Sequence, residues 1–112
     1  KLAQAGVKDM VRISDARMSG TICDALMSNT PGELTFPITR DLIGQGTTVT
    51  DAEVARAVRY AFTELKLVVE PGGVIGLAAL LAGKIDVKGK IVVGILSGGN
   101  VDVDMFARLI AA

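Results

Sequence analysis

Histidine and tryptophan are absent from this 112-residue chain, cysteine and tyrosine occur once each, and twelve basic residues are balanced by twelve acidic ones. Each shortage removes a class of function. A nucleic-acid surface needs a basic excess or stacking aromatics, and neither is present. A lone Cys23 without histidine partners closes no internal disulfide and assembles no thiolate–imidazole site, so no metal centre is expected and a reducing, cytoplasmic compartment is the natural reading. The most apolar windows, residues 74–82 and 91–96, fall far short of the roughly 20 residues that a bilayer-spanning helix requires. The opening KLAQAGVKDM has no apolar core with a small-residue cleavage site, so it is not a secretory signal. It also lacks an initiator Met, which suggests an excerpt or a processed chain.

Half of the residues are hydrophobic, enough for one soluble globular domain spanning 1–112 with a true core. No internal repeat, low-complexity segment or linker divides it. In DMVRISDARMSGT, Met10, Val11 and Ile13 predict a short strand over 11–14, followed by a loop to Gly20. TICDALMSNTPGEL allows one or two helical turns around residues 22–27 before Asn29, Pro31 and Gly32 stop them. TFPITRDLIGQG predicts a short helix, with Thr35 as cap, Pro37 near its start and Gly44 as its stop.

The clearest signal lies in TTVTDAEVARAVRYAFTELKLVVE. Thr50 and Glu53 have capping-box spacing, and Val54, Val58, Ala61, Phe62 and Leu65 recur three or four apart, which predicts an amphipathic helix over about 51–68. After Pro71, VIGLAALLAG is apolar all round and ends at Gly83, predicting a fully buried helix over 72–82. KIVVGILS is β-branched and continuously apolar, the pattern of a strand over 91–96 sandwiched between layers. NVDVDMFARLIAA then predicts a helix over 101–111, with Asn100 as an available cap and Asp102 and Asp104 in the first turn. The expected architecture is therefore α/β, with a small mainly parallel sheet packed by helices.

Between that expected strand and helix lies SGGN. Such a junction presents free backbone N–H groups and a partial positive charge suited to an anion or a polar cofactor edge, yet Gly98 and Gly99 also suit a plain tight turn. Pattern alone leaves turn and ligand site both open.

In order, the landmarks TFPITRDLI, TVTDAEVARAVRYAFTELKLVVEP, GGVIGLAALLAG and LSGGNVD make residues 21–112 resemble the C-terminal part of the fold-type II pyridoxal-phosphate enzymes, in particular the threonine and serine dehydratases and their serine racemase relatives. The resemblance implies that Ser97 hydrogen-bonds the pyridine nitrogen of pyridoxal 5'-phosphate and that Gly98, Gly99 and Asn100 shape the adjoining wall. A neutral hydroxyl suits a ring nitrogen left unprotonated, which tempers the electron sink and favours β-elimination from a hydroxy amino acid. Glu70, just before the PGG turn, lies near the active site in relatives; read from sequence, it is a helix C-terminal residue ahead of a proline.

The family's Schiff-base lysine, in a serine-x-lysine motif, and its separate glycine-rich phosphate loop have no counterpart in this sequence, so no catalytic residue is assigned. The resemblance then implies an ammonia-lyase segment that is inactive alone and completed by a missing N-terminal portion or partner chain. The alternative is a non-catalytic α/β unit whose uncovered apolar faces drive homo-oligomerisation. A second resemblance covers residues 6–21: GVKDMVRISDARMSGT is similar to a segment of the dihydroxy-acid and sugar-acid dehydratases, which implies Ser19 as a catalytic base. The cluster-binding cysteines of those iron–sulfur enzymes have no counterpart. Two families meeting near residues 20 and 21 suggest a chimera.

Overall fold

The computed structural model describes residues 20–28, 30–44 and 46–111. Its helices are α1 (Thr35–Thr39), α2 (Asp51–Thr63), α3 (Ile75–Leu81) and α4 (Val103–Ala111), with single 3₁₀ turns at Asp24–Leu26 and Pro71–Val74. Among the described residues there is no strand, which overturns the expected α/β architecture with its mainly parallel sheet. The expected strand over 11–14 and Ser19 lie outside the described residues.

Residues 91–96 carry the strand pattern without forming a strand. A continuous β-branched run dictates an extended backbone, but a strand also needs a neighbouring segment to pair its N–H and C=O groups. Among the described residues no such neighbour lies alongside, and the side chains expected between layers are uncovered: Ile91 is 100% exposed, Val93 86% and Ile95 79%.

The core is built on α2. The Thr50 side chain accepts a hydrogen bond from the Glu53 backbone N–H, while the Glu53 carboxylate accepts one from the Thr50 N–H, the reciprocal cap that the sequence predicts. Val54, Ala57, Val58 and Ala61 turn inward and are buried, whereas Phe62 and Leu65 remain 40% and 44% exposed. Val74 and Ala78 from the next helical segment, Val69 and Leu109 of α4 complete the packing. Phe62 meets Phe106 edge-to-face at a centroid distance of 5.4 Å, clamping α4 against α2.

Helix α1 has Leu34, not Thr35, at its cap position and ends at Thr39, short of Gly44; three further boundaries differ from expectation for local reasons. Helix α2 ends at Thr63 because Lys66 adopts φ 61°, and the Leu67 N–H closes back onto the Ala61 carbonyl. Glycine usually takes this left-handed position, so a lysine hides the stop. The 72–82 segment divides into a 3₁₀ turn and α3, and it is not buried all round: Ala78 and Ala79 are covered but Leu81 is 47% exposed. Its expected end is present, with Gly83 at φ 66°. Helix α4 is capped by Asp102, whose Oδ1 accepts from the Met105 N–H at 2.8 Å, and not by Asn100.

Outside the core, Asp51 secures the segment before α1. Its carboxylate accepts from the Thr21 hydroxyl at 2.7 Å and the Ile22 N–H at 3.2 Å, placing Cys23 in the core. Burial pushes the Cys23 thiol above its ordinary pKa, partly opposed by the Thr21 side chain. Lys84 reaches back to the start of α2, donating to the Glu53 carboxylate and the Thr48 carbonyl, each at 2.8 Å.

Two outcomes follow from this packing. Val58→Ala deletes fully buried methyl groups and is expected to cost about 2–3 kcal/mol in denaturant unfolding. The Lys84 ammonium and the Thr50 N–H hold the Glu53 carboxyl down to about pKa 2. Because that pKa is depressed on folding, its stabilisation is present above the unfolded value near 4.5 and lost as pH falls through about 2. Thermal unfolding of Glu53→Gln beside the parent should show a difference that is constant at neutral pH and disappears across that window.

Candidate functional site

The SGGN loop lies directly against the turn between α2 and α3. The Glu70 N–H donates to the Gly98 carbonyl at 3.0 Å, and the Ser97 N–H donates to the Gly73 carbonyl at 3.3 Å. Within the turn itself, the Gly73 N–H donates to the Glu70 carbonyl at 3.0 Å. Residues 70–73 and 97–98 are thus joined backbone to backbone, at positions 24 to 28 residues apart in the chain.

Glycine is required here by space, not by dihedral angle: neither Gly98 nor Gly99 has a positive φ. A Cβ on Gly73 would lie 3.0 Å from both the N and the O of Gly98. A Cβ on Gly99 would lie 2.8 Å from the Val68 carbonyl oxygen. A Cβ on Gly98 would overlap the Glu70 carboxylate. The three glycines let two backbones meet at a separation that side chains forbid.

Ser97 is exposed, and its hydroxyl has no hydrogen-bond partner among the described residues. Asn100 is also exposed, beyond a tight turn in which the Val101 N–H donates to the Gly99 carbonyl. Glu70 is the residue whose placement departs most from the sequence reading. Helix α2 ends seven residues earlier, so Glu70 does not terminate it; Glu70 instead opens the 3₁₀ turn leading into α3, with its side chain packed against Gly73 and Gly98. Its carboxylate has no hydrogen-bond or ion-pair partner among the described residues. The signal for this was the PGG that follows it, since two consecutive glycines announce a close backbone approach.

The described lysines are engaged elsewhere or are remote in sequence. Lys66 donates to the Thr63 carbonyl, Lys84 to Glu53, and Lys90 to Asp86; none of these bonds reaches the loop. Among the described residues no group of Cys, Asp or Glu side chains converges to hold a metal ion, and no helix is long and apolar enough to cross a membrane.

The SGGN loop and the 70–73 turn thus bring together an exposed serine hydroxyl, a face stripped of side chains by glycine and a carboxylate without a partner among the described residues. The sequence pattern of the family described as "Pyridoxal-phosphate dependent enzyme" matches residues 3–98, and the chain belongs to that family. It is 39% identical over 90 residues to an L-threonine ammonia-lyase of Thermotoga maritima, covering 80% of this chain and 22% of the relative. Against an L-threo-3-hydroxyaspartate ammonia-lyase of Pseudomonas sp. it is 41% identical over 90 residues, covering 80% of this chain and 28% of the relative. Among solved structures, a threonine deaminase from T.th. superposes with TM-score 0.70 at 35% identity, covering 89% of this chain and 35% of that one. Maize serine racemase superposes with TM-score 0.71 at 32% identity, covering 98% of this chain and 33% of that one. The chain spans about a quarter of the length of these curated relatives.

The close approach makes the glycines unequal. Gly99→Ala and Gly73→Ala place a methyl group against backbone atoms, whereas Gly98→Ala meets the movable end of Glu70. In thermal unfolding the first two are expected to cost about 1–3 kcal/mol and Gly98→Ala less. Equal losses at all three positions would contradict this packing.

Proposed function

We propose that this chain is the cofactor-facing C-terminal segment of a pyridoxal-phosphate-dependent serine/threonine ammonia-lyase. In this reading Ser97 hydrogen-bonds the pyridine nitrogen, and Gly98, Gly99 and Asn100 form the adjoining wall. The observation that carries it is the Ser97 hydroxyl, without a hydrogen-bond partner among the described residues, at the edge of a loop whose glycines leave a flat face. Family membership and the ammonia-lyase relatives support the same reaction class. When bound, the cofactor supplies the electron sink for β-elimination. This chain contributes the ring-edge hydroxyl, a wall free of side chains, and a loop pinned to the 70–73 turn so that the hydroxyl keeps its place.

The residues present fit one edge of the ring and no more. With neither the family's serine-x-lysine motif nor its phosphate loop in the sequence, the chain does not act alone, and a portion or partner chain carrying them completes the site. The reading further includes a cytoplasmic, homo-oligomeric protein. The second resemblance, and with it the chimera and a base role for Ser19, rests on residues 6–21 alone, while the match to the pyridoxal-phosphate family begins at residue 3 and runs through them.

A non-catalytic, self-associating unit is the second reading. It is favoured by the uncovered apolar side chains of Leu34, Ile38 and Leu42, 85%, 64% and 78% exposed, together with those of residues 91–96. Sedimentation giving a monomer that binds no exposed-surface dye would remove it.

Incubated with pyridoxal 5'-phosphate and L-threonine, the chain alone is expected to release no ammonia. Co-expressed with the lysine-bearing portion of a threonine ammonia-lyase, it should retain the cofactor by absorbance, and Ser97→Ala should weaken that retention about tenfold. Ammonia release by the isolated chain, or retention indifferent to Ser97→Ala, would defeat the proposal.

A further inference from the structure

Lysine is a poor choice for the position that ends α2. At φ 61° the backbone of Lys66 is left-handed, a conformation in which a side chain crowds the following carbonyl and glycine carries no such penalty. The flanking side chains do not hold the turn by packing, since Leu65, Leu67 and Val68 are 44%, 45% and 55% exposed. Hydrogen bonds hold it instead. The Leu65 and Leu67 N–H groups both donate to the Ala61 carbonyl, and the Lys66 ammonium curls back to donate to the Thr63 carbonyl at 2.6 Å. Thr63 is the last residue of α2, so this carbonyl lies at the negative end of the helix dipole, where no further helical turn supplies a donor. A glycine would make the turn without strain but could not supply that bond.

We infer that Lys66 is a positioning residue for the Ser97 loop, acting through the Val68 carbonyl. The turn it closes is two residues from Val68, whose carbonyl oxygen is the atom that would meet a Cβ on Gly99 at 2.8 Å. Val69 then enters the core, and the Glu70 N–H donates to the Gly98 carbonyl. With Val69 fixed by burial, the direction in which the chain leaves Lys66 decides how the Val68 peptide faces Gly99. A stiff turn keeps that peptide, and the register at Glu70 and Ser97, in one arrangement; a loose turn lets it rotate away. The lysine tolerates an unfavourable backbone because its own ammonium closes the turn. The inference rests on the assignment of Ser97 to the cofactor for its consequence, since placing the loop places that hydroxyl.

The test is amide hydrogen exchange on the full chain, with Lys66→Gly and Lys66→Arg beside the parent. Glycine keeps the left-handed turn and removes the ammonium, whereas arginine restores a charged donor on a long flexible stem. In Lys66→Gly the Glu70 and Ser97 amides, which bridge the turn and the loop, are expected to exchange about fivefold faster, with Val58 and Ala61 in the core unchanged. Lys66→Arg should return both amides to the parent rate. A residue serving only as a helix stop gives the opposite result, because glycine suits that role better. Glu70 and Ser97 exchanging in Lys66→Gly at the parent rate or slower would overturn the inference, as would an equal acceleration at Val58 and Ala61. In the complex with the lysine-bearing portion of a threonine ammonia-lyase, Lys66→Gly should also weaken retention of pyridoxal 5'-phosphate, and add nothing once Ser97→Ala is present. Retention lost with Ser97→Ala but untouched by Lys66→Gly would overturn the inference and leave the Ser97 assignment standing. Retention indifferent to Ser97→Ala, with the exchange rates as expected, would defeat that assignment and leave Lys66 as the residue that places the loop.

Discussion

The close approach of two backbones, residues 68–73 against 97–99, is the constraint on which the site depends. It requires three positions without side chains, and at two of them the opposing atoms belong to the main chain and cannot turn aside. The hydrogen bonds between Glu70 and Gly98 and between Ser97 and Gly73 then fix the register. Ser97 is held at a defined place although it is exposed, because the backbone on which it sits is tied to the entry of α3. The placement of this hydroxyl comes from main-chain geometry, which a surface side chain by itself could not supply.

That entry is in turn anchored by the core. Val74 and Ala78 pack against Val54, Val58 and Ala61 of α2, so the turn bearing Glu70 is attached to the best-formed part of the molecule. The Thr50–Glu53 cap and the Lys84 ammonium secure the other end of α2. The chain of dependence runs from a capped amphipathic helix, through a buried valine, to a glycine turn and only then to the loop.

Much of this was legible in the sequence. The capping-box spacing fixes where α2 begins, and the Val54, Val58 and Ala61 repeat fixes which face is buried. Gly83 marks the end of α3 as its type predicts. What misled has physical causes. The lysine at φ 61° ends α2 without the glycine that usually announces a stop, and Asp102, two residues past Asn100, supplies the cap of α4. The run at 91–96 reads as a sheet strand because side chains record the environment a segment suits, whereas strand formation depends on a second segment. Of the site, SGGN and PGG were visible as separate glycine pairs; that they touch, and that Glu70 lies between them, is a long-range fact that local pattern does not encode.

The placement of Cys23 has one more consequence. Its sulfur is enclosed by the same core that supports the site, and burial keeps the thiol in its unreactive protonated form. Alkylation is then limited by how often the enclosure opens rather than by the chemistry of the reagent. The only sulfhydryl in the polypeptide thereby serves as a built-in clock for the breathing of the interior on which the SGGN loop stands.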